Sequence, residues 1–391
     1  MKHLIVNFEV NSSSINTCII ENEFDTSIVL YEQSQNLDAQ LNNLNLAINK
    51  AKKMIKYFAE KKDYAVKYSL LIDETYLSEI SLVSCKAEIL VKSNLTSELE
   101  KAEINKLIKK HSAKNSALVL NNQTIYYQTE NNIGELKTYS KFPLNKVANK
   151  LKVKYVNLQV EKNSFLANVY QTFLNNKIKF TNVLLKSQAA WIASEQKNFK
   201  KAIFVNFVNQ TLIINETVNG IILKAKDFSI ASEVDKIIKF IKTKYQLNIQ
   251  DSCNLVQGLI KNYQFYKTID YSVLTNIQKD VLKLINKLIG EKIINILANN
   301  NFAEKGYEIV VLENDACIIS TIMTKVLNSK INRLVLQDDL DLTHCMQGVV
   351  KLLTNNWEQV DQTQTINSLA ILKHKTAFNK TINKLAYVKA A

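Results

Sequence analysis

A unit of three strand-like runs followed by an amphipathic helix occurs twice in this chain, and that repetition limits the possible folds more than any other feature. In the first copy the strands are Leu4–Val10, Ile15–Ile20 and Ser27–Tyr31, and the helix is Leu37–Ala59. In the second copy they are Lys201–Phe207, Thr211–Thr217 and Ile221–Leu223, followed by the helix Ser232–Tyr245. Strands that pair locally and are then covered by a helix predict a layered α/β protein with two matching halves.

The segment between the two copies follows a different pattern. From Glu79 to Leu158 the sequence predicts a strand, a capped helix, a hairpin-like pair of strands, a second helix at Leu144–Leu151 and a final strand. A segment of this size and content predicts an inserted α+β domain in the first half. The predicted divisions are 1–78 and 159–198 for the first half, 79–158 for the inserted domain, 199–225 and 301–370 for the second half, 226–300 for a subdomain within it, and 371–391 for a basic C-terminal tail.

The type of basic residue argues against nucleic acid as a partner, although the net charge is +14. Arg333 is the only arginine, whereas bidentate recognition of phosphate relies on arginine. Lysine, asparagine and isoleucine are abundant along the whole chain. We therefore expect a solvated lysine surface and no nucleic-acid partner; a nucleic-acid binder is an alternative that rests on charge alone.

Several other classes of protein have no support in the sequence. No apolar run approaches the ~20 residues of a membrane-spanning helix, and the N-terminus lacks the apolar core of a signal peptide, so a cytosolic protein is expected. The five cysteines are scattered without a paired spacing, which predicts neither a disulfide framework nor a zinc site. No nucleophile is placed beside a base by local sequence, so no catalytic residue and no metal site are predicted.

The order of elements, including the inserted domain, resembles that of the FtsA family of bacterial cell-division proteins. Beyond the pattern of elements, three segments of the nucleotide site carry the resemblance: Ile5–Cys18, Phe204–Ile214 and Ile309–Ala316. They are similar to the two phosphate loops and the adenosine strand of the family. A further segment, Asn182–Ala193, is similar to the family's strand followed by an alanine-rich helix. The resemblance implies an actin-like fold, meaning a duplicated ribonuclease H-like fold with two facing halves. It assigns the nucleotide positions to Glu9, Asn11, Ser12, Ser13, Ser14, Asn206, Asn209, Gln210, Thr211, Glu313, Asn314 and Asp315.

These positions depart from what an actin-type nucleotide site requires. Such a site needs glycine so that backbone amides can approach phosphates, and aspartates that hold magnesium through water. None of the six glycines lies in the three segments, Asn206 lacks a charge, and Glu313 and Asp315 would repel an anion. We expect a degenerate site that binds ATP and magnesium poorly, no resident cofactor, and a protein that is not an enzyme.

The resemblance also implies partners. Members of this family link the FtsZ ring to the cytoplasmic membrane, so we expect a cytoplasmic protein that is peripheral on the inner face of the membrane at the division site and self-associates into filaments. FtsZ would dock on the subdomain 226–300 beside Lys279, Lys283 and Lys287. The expected membrane tail contains Phe378, Lys380, Ile382, Lys384, Leu385 and Lys389.

Two alternatives share this fold. A pilus-assembly adaptor also carries the inserted domain, and a purely protein-scaffolded adaptor would not need a lipid-binding tail. An active actin-like ATPase would be favoured by intact phosphate loops, which are absent here.

Overall fold

The protein, described here from a computed structural model, forms two compact units. The described residues are 2–23, 26–60, 63–91, 98–112, 117–139, 141–193, 201–208, 210–218, 220–299, 308–313, 331–335, 344–354 and 364–366. The first unit comprises Met1–Ile80 and Asn163–Trp357, and the second comprises Ser81–Lys162 and Glu358–Ala391. The domain boundaries that the sequence predicts remain predictions.

The first half of the first unit is built on a five-stranded sheet of order β3-β2-β1-β4-β9. Its strands are β1 (His3–Val10), β2 (Ser14–Glu23), β3 (Thr26–Asn36), β4 (Ala65–Ile72) and β9 (Asn182–Leu185). The first three are antiparallel, whereas β4 and β9 are parallel to β1. The central strand β1 is buried along nearly its whole length, as expected for a strand covered on both faces. Helices α1 (Asn42–Ala59) and α3 (Phe165–Asn175) belong to this half.

The second half repeats this arrangement with a sheet of order β12-β11-β10-β13-β14. Its strands are β10 (Lys201–Val208), β11 (Thr211–Val218), β12 (Ile221–Ser229), β13 (Glu308–Glu313) and β14 (Ile331–Val335). Again three antiparallel strands are followed by two that are parallel to the first. Two sheets with this same order and direction define the actin-like fold, which confirms the predicted fold class.

Two helices pack between the sheets: α4 (Lys186–Ala193) and α10 (His344–Thr354). A buried cluster joins Ile5 and Leu184 of the first sheet to Phe204 of the second, with Trp191 of α4 and Val349 of α10 between them. The core of the first unit therefore includes the junction between its halves.

A helical subdomain follows β12. It consists of α5 (Ala231–Tyr245), α6 (Ile249–Lys261), α7 (Tyr263–Thr268), α8 (Asn276–Leu284), a π-helical segment (Ile285–Gly290) and α9 (Glu291–Asn299). The sequence predicts one regular helix over Thr275–Ala298, and this is wrong in its middle turn. Buried residues recur every four positions at Val281, Ile285, Ile289, Ile293 and Leu297.

That four-residue repeat explains the π segment. Four residues advance about 400° around an α-helix, so the buried stripe would drift about 40° at each step. A π turn has i→i+5 hydrogen bonds and takes more residues per turn. It therefore brings the repeat back to the same face, and these side chains stay in one core.

The second unit contains a sheet of order β15-β7-β6-β8-β5. Its elements are β5 (Ile80–Leu90), α2 (Glu98–Ser112), β6 (Leu118–Glu130), β7 (Leu136–Tyr139), β8 (Lys150–Val160) and β15 (Gln364–Ile366). The predicted hairpin-like pair is one strand, β6, with two irregularities in its pairing to β8.

The predicted helix Leu144–Leu151 is also wrong. Asn145 has a left-handed φ of 60°, and β8 already begins at Lys150. Within the described part of the chain, none of the helices combines the length and apolar character needed to cross a bilayer.

Candidate site at the carboxyl edge of the first sheet

The three parallel strands of the first sheet end side by side. Val10 of β1 pairs with Ile72 of β4, and Ile72 pairs with Leu185 of β9. The carboxyl edge of such a sheet is where α/β proteins bind ligands. The side chains at this edge therefore form the candidate site.

Lys186 follows β9 directly and opens α4, and its side chain reaches toward residues at the ends of the other two parallel strands. Its Nζ lies 2.8 Å from Oε1 of Glu9 and 3.4 Å from Oδ2 of Asp73. It also donates to Oδ1 of Asn11 over 3.4 Å. Three protein oxygens therefore lie within 3.4 Å of this ammonium.

The charges in this cluster stabilise one another. Burial disfavours the Lys186 ammonium, but Glu9, Asp73 and the hydrogen bond to Glu9 outweigh it and hold the pKa of Lys186 above its usual range. Asp73 is fixed by its backbone, since its N–H donates to the carbonyl of Val10 over 3.0 Å and its side chain accepts from the N–H of Thr75. The cation is thus held between two carboxylates at the strand ends.

A second polar chain runs from this edge into the other half of the unit. The buried carboxylate of Glu74 accepts from the N–H of Ser187 over 2.6 Å, and Ser187 Oγ accepts from Nδ2 of Asn215 in β11 over 2.8 Å. Burial raises the pKa of Glu74, and the hydrogen bonds from Ser187 only partly oppose this. Beside it, Nε2 of Gln188 donates to the carbonyl of Gly220 over 2.9 Å. These bonds link the two halves across their junction.

The first phosphate-loop segment is a tight turn between β1 and β2. The N–H of Asn11 donates to the carbonyl of Ser14 over 2.9 Å, and the carbonyl of Ser13 accepts from Leu37 N–H. Tyr76 donates its hydroxyl to the carbonyl of Asn11 over 3.0 Å, and burial with nearby acidic groups raises the pKa of Tyr76 to about 12, so the phenol keeps its proton. Ser12 and Ser13 are exposed at the tip.

The second segment is the turn between β10 and β11. Asn206 uses its Oδ1 locally, accepting from the N–H of Phe207 over 2.7 Å. Thr211 pairs with Val208 across a two-residue turn in which Gln210 has a left-handed φ of 62°. Asn209 lies outside the described residues.

In the third segment, Glu313 ends β13 opposite Val335. Asn314 and Asp315 lie outside the described residues. Of the predicted nucleotide positions, Glu9 and Asn11 are brought together, by their shared contact with Lys186.

The residues at this edge do not fit a magnesium–nucleotide complex. Magnesium would need free carboxylates, and Glu9 and Asp73 face an ammonium. Phosphate would need close backbone amides or free cations, and the Lys186 ammonium is already paired with two carboxylates of the protein. Among the described residues, no group of three or more His, Cys, Asp or Glu side chains is arranged to hold a metal.

Sequence reasoning missed Lys186, Asp73, Glu74 and Ser187. A usable signal was present, since the apolar runs Tyr68–Ile72 and Val183–Leu185 predict strands, and a charged residue directly follows each run, Asp73 and Lys186. Charged residues at the carboxyl ends of neighbouring parallel strands are expected to meet.

The predicted docking lysines lie on the subdomain helices. Lys283 and Lys287 are exposed, and Lys279 is half-buried with its Nζ 5.3 Å from the ring centroid of Tyr271. The stretch Phe378–Lys389, with the predicted tail residues, lies outside the described residues.

Comparison with known proteins shows that this chain is similar in fold to several solved structures. No family model matches the chain, and neither does any curated protein. A chain of the PilM–PilN type IV pilus biogenesis complex aligns at 8% identity over 84% of this chain and 87% of its own, with a TM-score of 0.42. MreB5 of Spiroplasma citri bound to ADP aligns at 9% identity over 90% of this chain and 98% of its own, with a TM-score of 0.37. Apo ParM of psk41 aligns at 9% identity over 90% of this chain and 98% of its own, with a TM-score of 0.39.

Proposed function

We propose that this protein is an actin-fold adaptor of bacterial cell division, similar to FtsA, that links the FtsZ ring to the inner face of the cytoplasmic membrane and acts by binding rather than by nucleotide turnover. The observation that carries this proposal is the position of Lys186. Its ammonium occupies the ligand-binding edge of the sheet and holds Glu9 and Asp73.

This cluster supports an adaptor over an ATPase for an electrostatic reason. Binding a magnesium nucleotide would require Lys186 to leave two carboxylates, and each would then have to be paired again by the metal. Breaking a partly buried ion pair on one side is strongly destabilising. The chain supplies its own cation, so the fold does not depend on a bound nucleotide.

The partner surfaces in this proposal come from the subdomain and the tail. Lys283 and Lys287 are exposed on consecutive turns, where they can attract an acidic FtsZ tail peptide. The tail would bind anionic lipid through Phe378, Ile382 and Leu385 with lysines between them. Self-association would add avidity to a weak anchor.

Two titrations test the proposal. Calorimetry with magnesium and ATP should show no binding in the micromolar range, and fluorescence anisotropy should show binding of an acidic FtsZ tail peptide that weakens with salt. Micromolar ATP binding would support the ATPase alternative instead. A chain that binds neither ATP nor the FtsZ peptide would contradict the division role and leave the pilus-type adaptor as the alternative.

A further inference from the structure

We propose that the second unit has its own contact with an anionic lipid surface, made by an apolar tip at one end of its sheet. The tip is defined by Leu90, Ile133, Leu144 and Val147, which are 78, 85, 44 and 67% exposed. This inference rests on the proposed membrane role but not on the C-terminal tail.

The backbone brings several segments to the same end of the sheet. Glu130 at the end of β6 pairs with Lys150 at the start of β8. The N–H of Asn149 donates to the carbonyl of Glu130 over 2.8 Å, and the N–H of Val91 donates to the carbonyl of Asn149 over 2.7 Å. The end of β5, the β6–β7 turn and the segment before β8 therefore meet there.

The β6–β7 turn that presents Ile133 pairs four of its backbone N–H groups within the turn. Oδ1 of Asn131 accepts from the N–H of Ile133 over 3.2 Å and from the N–H of Glu135 over 2.8 Å. The N–H of Gly134 donates to the carbonyl of Asn131, and the N–H of Asn131 donates to the carbonyl of Glu135. Internally bonded amides lower the desolvation penalty of entering a lipid interface.

Charge at the tip favours an anionic surface. The nearby carboxylates of Glu88, Glu130 and Glu135 are each paired, with Lys150, Lys152 and Lys137. Lys141 and Lys146 are exposed in the segment that carries Leu144 and Val147. Lysines beside apolar side chains suit a headgroup region, where each contributes about 1 kcal/mol.

A second copy of the chain is a poorer partner for this tip. A specific protein interface buries about 800 Å² and roughly 20–30 residues on each side, whereas the tip offers four large apolar side chains. Copies would also bring the same lysines together, on a chain of net charge +14. A lipid interface is deformable and can accept a small apolar tip.

Co-sedimentation with vesicles tests this inference on the full chain. The vesicles are phosphatidylcholine alone or mixed with phosphatidylglycerol. We expect the parent to bind the anionic vesicles and I133D/V147D to reduce the bound fraction about fivefold or more. The matched control is I28D/L46D, which adds the same two charges to the other unit, where Ile28 and Leu46 are 58 and 52% exposed; it should bind as the parent does. Thermal melting checks that the variants fold.

A tail variant, F378D/I382D/L385D, separates the two contacts. If the tip variant binds as well as the parent while the tail variant loses binding, the tip proposal is overturned and the membrane role stands. If the parent does not bind anionic vesicles, both contacts are overturned, while FtsZ peptide binding still tests the adaptor role. Concentration-dependent self-association that the tip variant loses, without vesicle binding, would assign the tip to a second copy and also overturn the proposal.

Discussion

The backbone of Gly348 lies directly against that of Ala189: a Cβ added to Gly348 would lie 1.8 Å from the carbonyl oxygen of Ala189 and 2.7 Å from its carbonyl carbon. The two residues belong to α10 and α4, the helices that pack between the sheets. The obstacle is backbone, so no side-chain rotation can relieve it. This approach sets how closely the two helices pack.

Gly348→Ala should therefore destabilise the first unit. Overpacking of this kind typically lowers the free energy of unfolding by about 1–3 kcal/mol, measured by urea denaturation. The matched control is Gly258→Ala in α6, where an added Cβ meets nothing within 4 Å. Since alanine favours helix over glycine by roughly 0.8–1 kcal/mol, that variant should be more stable than the parent. Equal stability of the two variants would contradict the close approach.

Lys186→Met should leave Glu9 and Asp73 facing each other without a cation. The free energy of unfolding is expected to fall by roughly 2 kcal/mol. This is less than the 3–5 kcal/mol lost when one partner of a fully buried ion pair is removed, because the Lys186 side chain is 29% exposed. Its pKa is raised, so the Lys186 contribution is present at neutral pH and is lost only as the pH rises through the folded-state pKa. Lys53→Met on the exposed face of α1 is the control and should melt as the parent does.

Glu74→Gln should stabilise the protein at neutral pH. The folded-state pKa of Glu74 is raised above its ordinary value of 4.5, so its contribution to stability is greatest below that value and is lost as the pH rises through the folded-state pKa. Thermal melting of the two proteins from about pH 4 to pH 8 should show a difference that grows with pH. Glu60→Gln, on a side chain 65% exposed, is the control for the loss of one negative charge. A difference independent of pH would indicate a change in packing alone.

Lys283→Glu combined with Lys287→Glu should weaken the proposed binding of an acidic FtsZ tail peptide. Exposed ion pairs contribute about 0.2–1 kcal/mol each, so reversing two of them should raise the Kd roughly tenfold at low salt, with the effect fading as salt screens the charges. Anisotropy measures the Kd. Lys50→Glu with Lys53→Glu on α1 makes the same charge change elsewhere, and a similar loss there would show a non-specific effect. Lys279 is left in place because it packs over Tyr271.

Local sequence was sufficient for most of the fold. The two three-strand units were predictable because β-branched runs and short polar turns specify antiparallel neighbours directly. Helix α1 begins at Asn42 rather than at Leu37, since β3 continues to Asn36 and Asp38 accepts hydrogen bonds from the N–H groups of Asn42 and Asn43. The π segment was not predicted, because apolar residues spaced four apart also occur on one face of a regular α-helix. The sequence alone does not show that all five of these residues are buried in one core.

The candidate site was harder to predict. The two phosphate-loop segments and the adenosine-strand segment could be located by resemblance, but the side chain that completes the edge comes from elsewhere in the chain. Lys186 is 177 residues from Glu9 (186 − 9), and only the parallel register of β1, β4 and β9 brings them together. Glu74 and Asn215 likewise meet through Ser187, across the two halves. Such pairs depend on topology, which local patterns do not specify.

A cation that is part of the polypeptide has consequences for regulation. Lys186 is present at the sheet edge in every molecule from the moment the chain folds, and its local concentration does not follow the cellular ratio of ATP to ADP. Under the proposed adaptor role, an assembly of such subunits would have no nucleotide hydrolysis of its own to time its growth and disassembly. Its growth and disassembly would then respond to the abundance of partners and to the membrane, and any timing would have to be set by those partners.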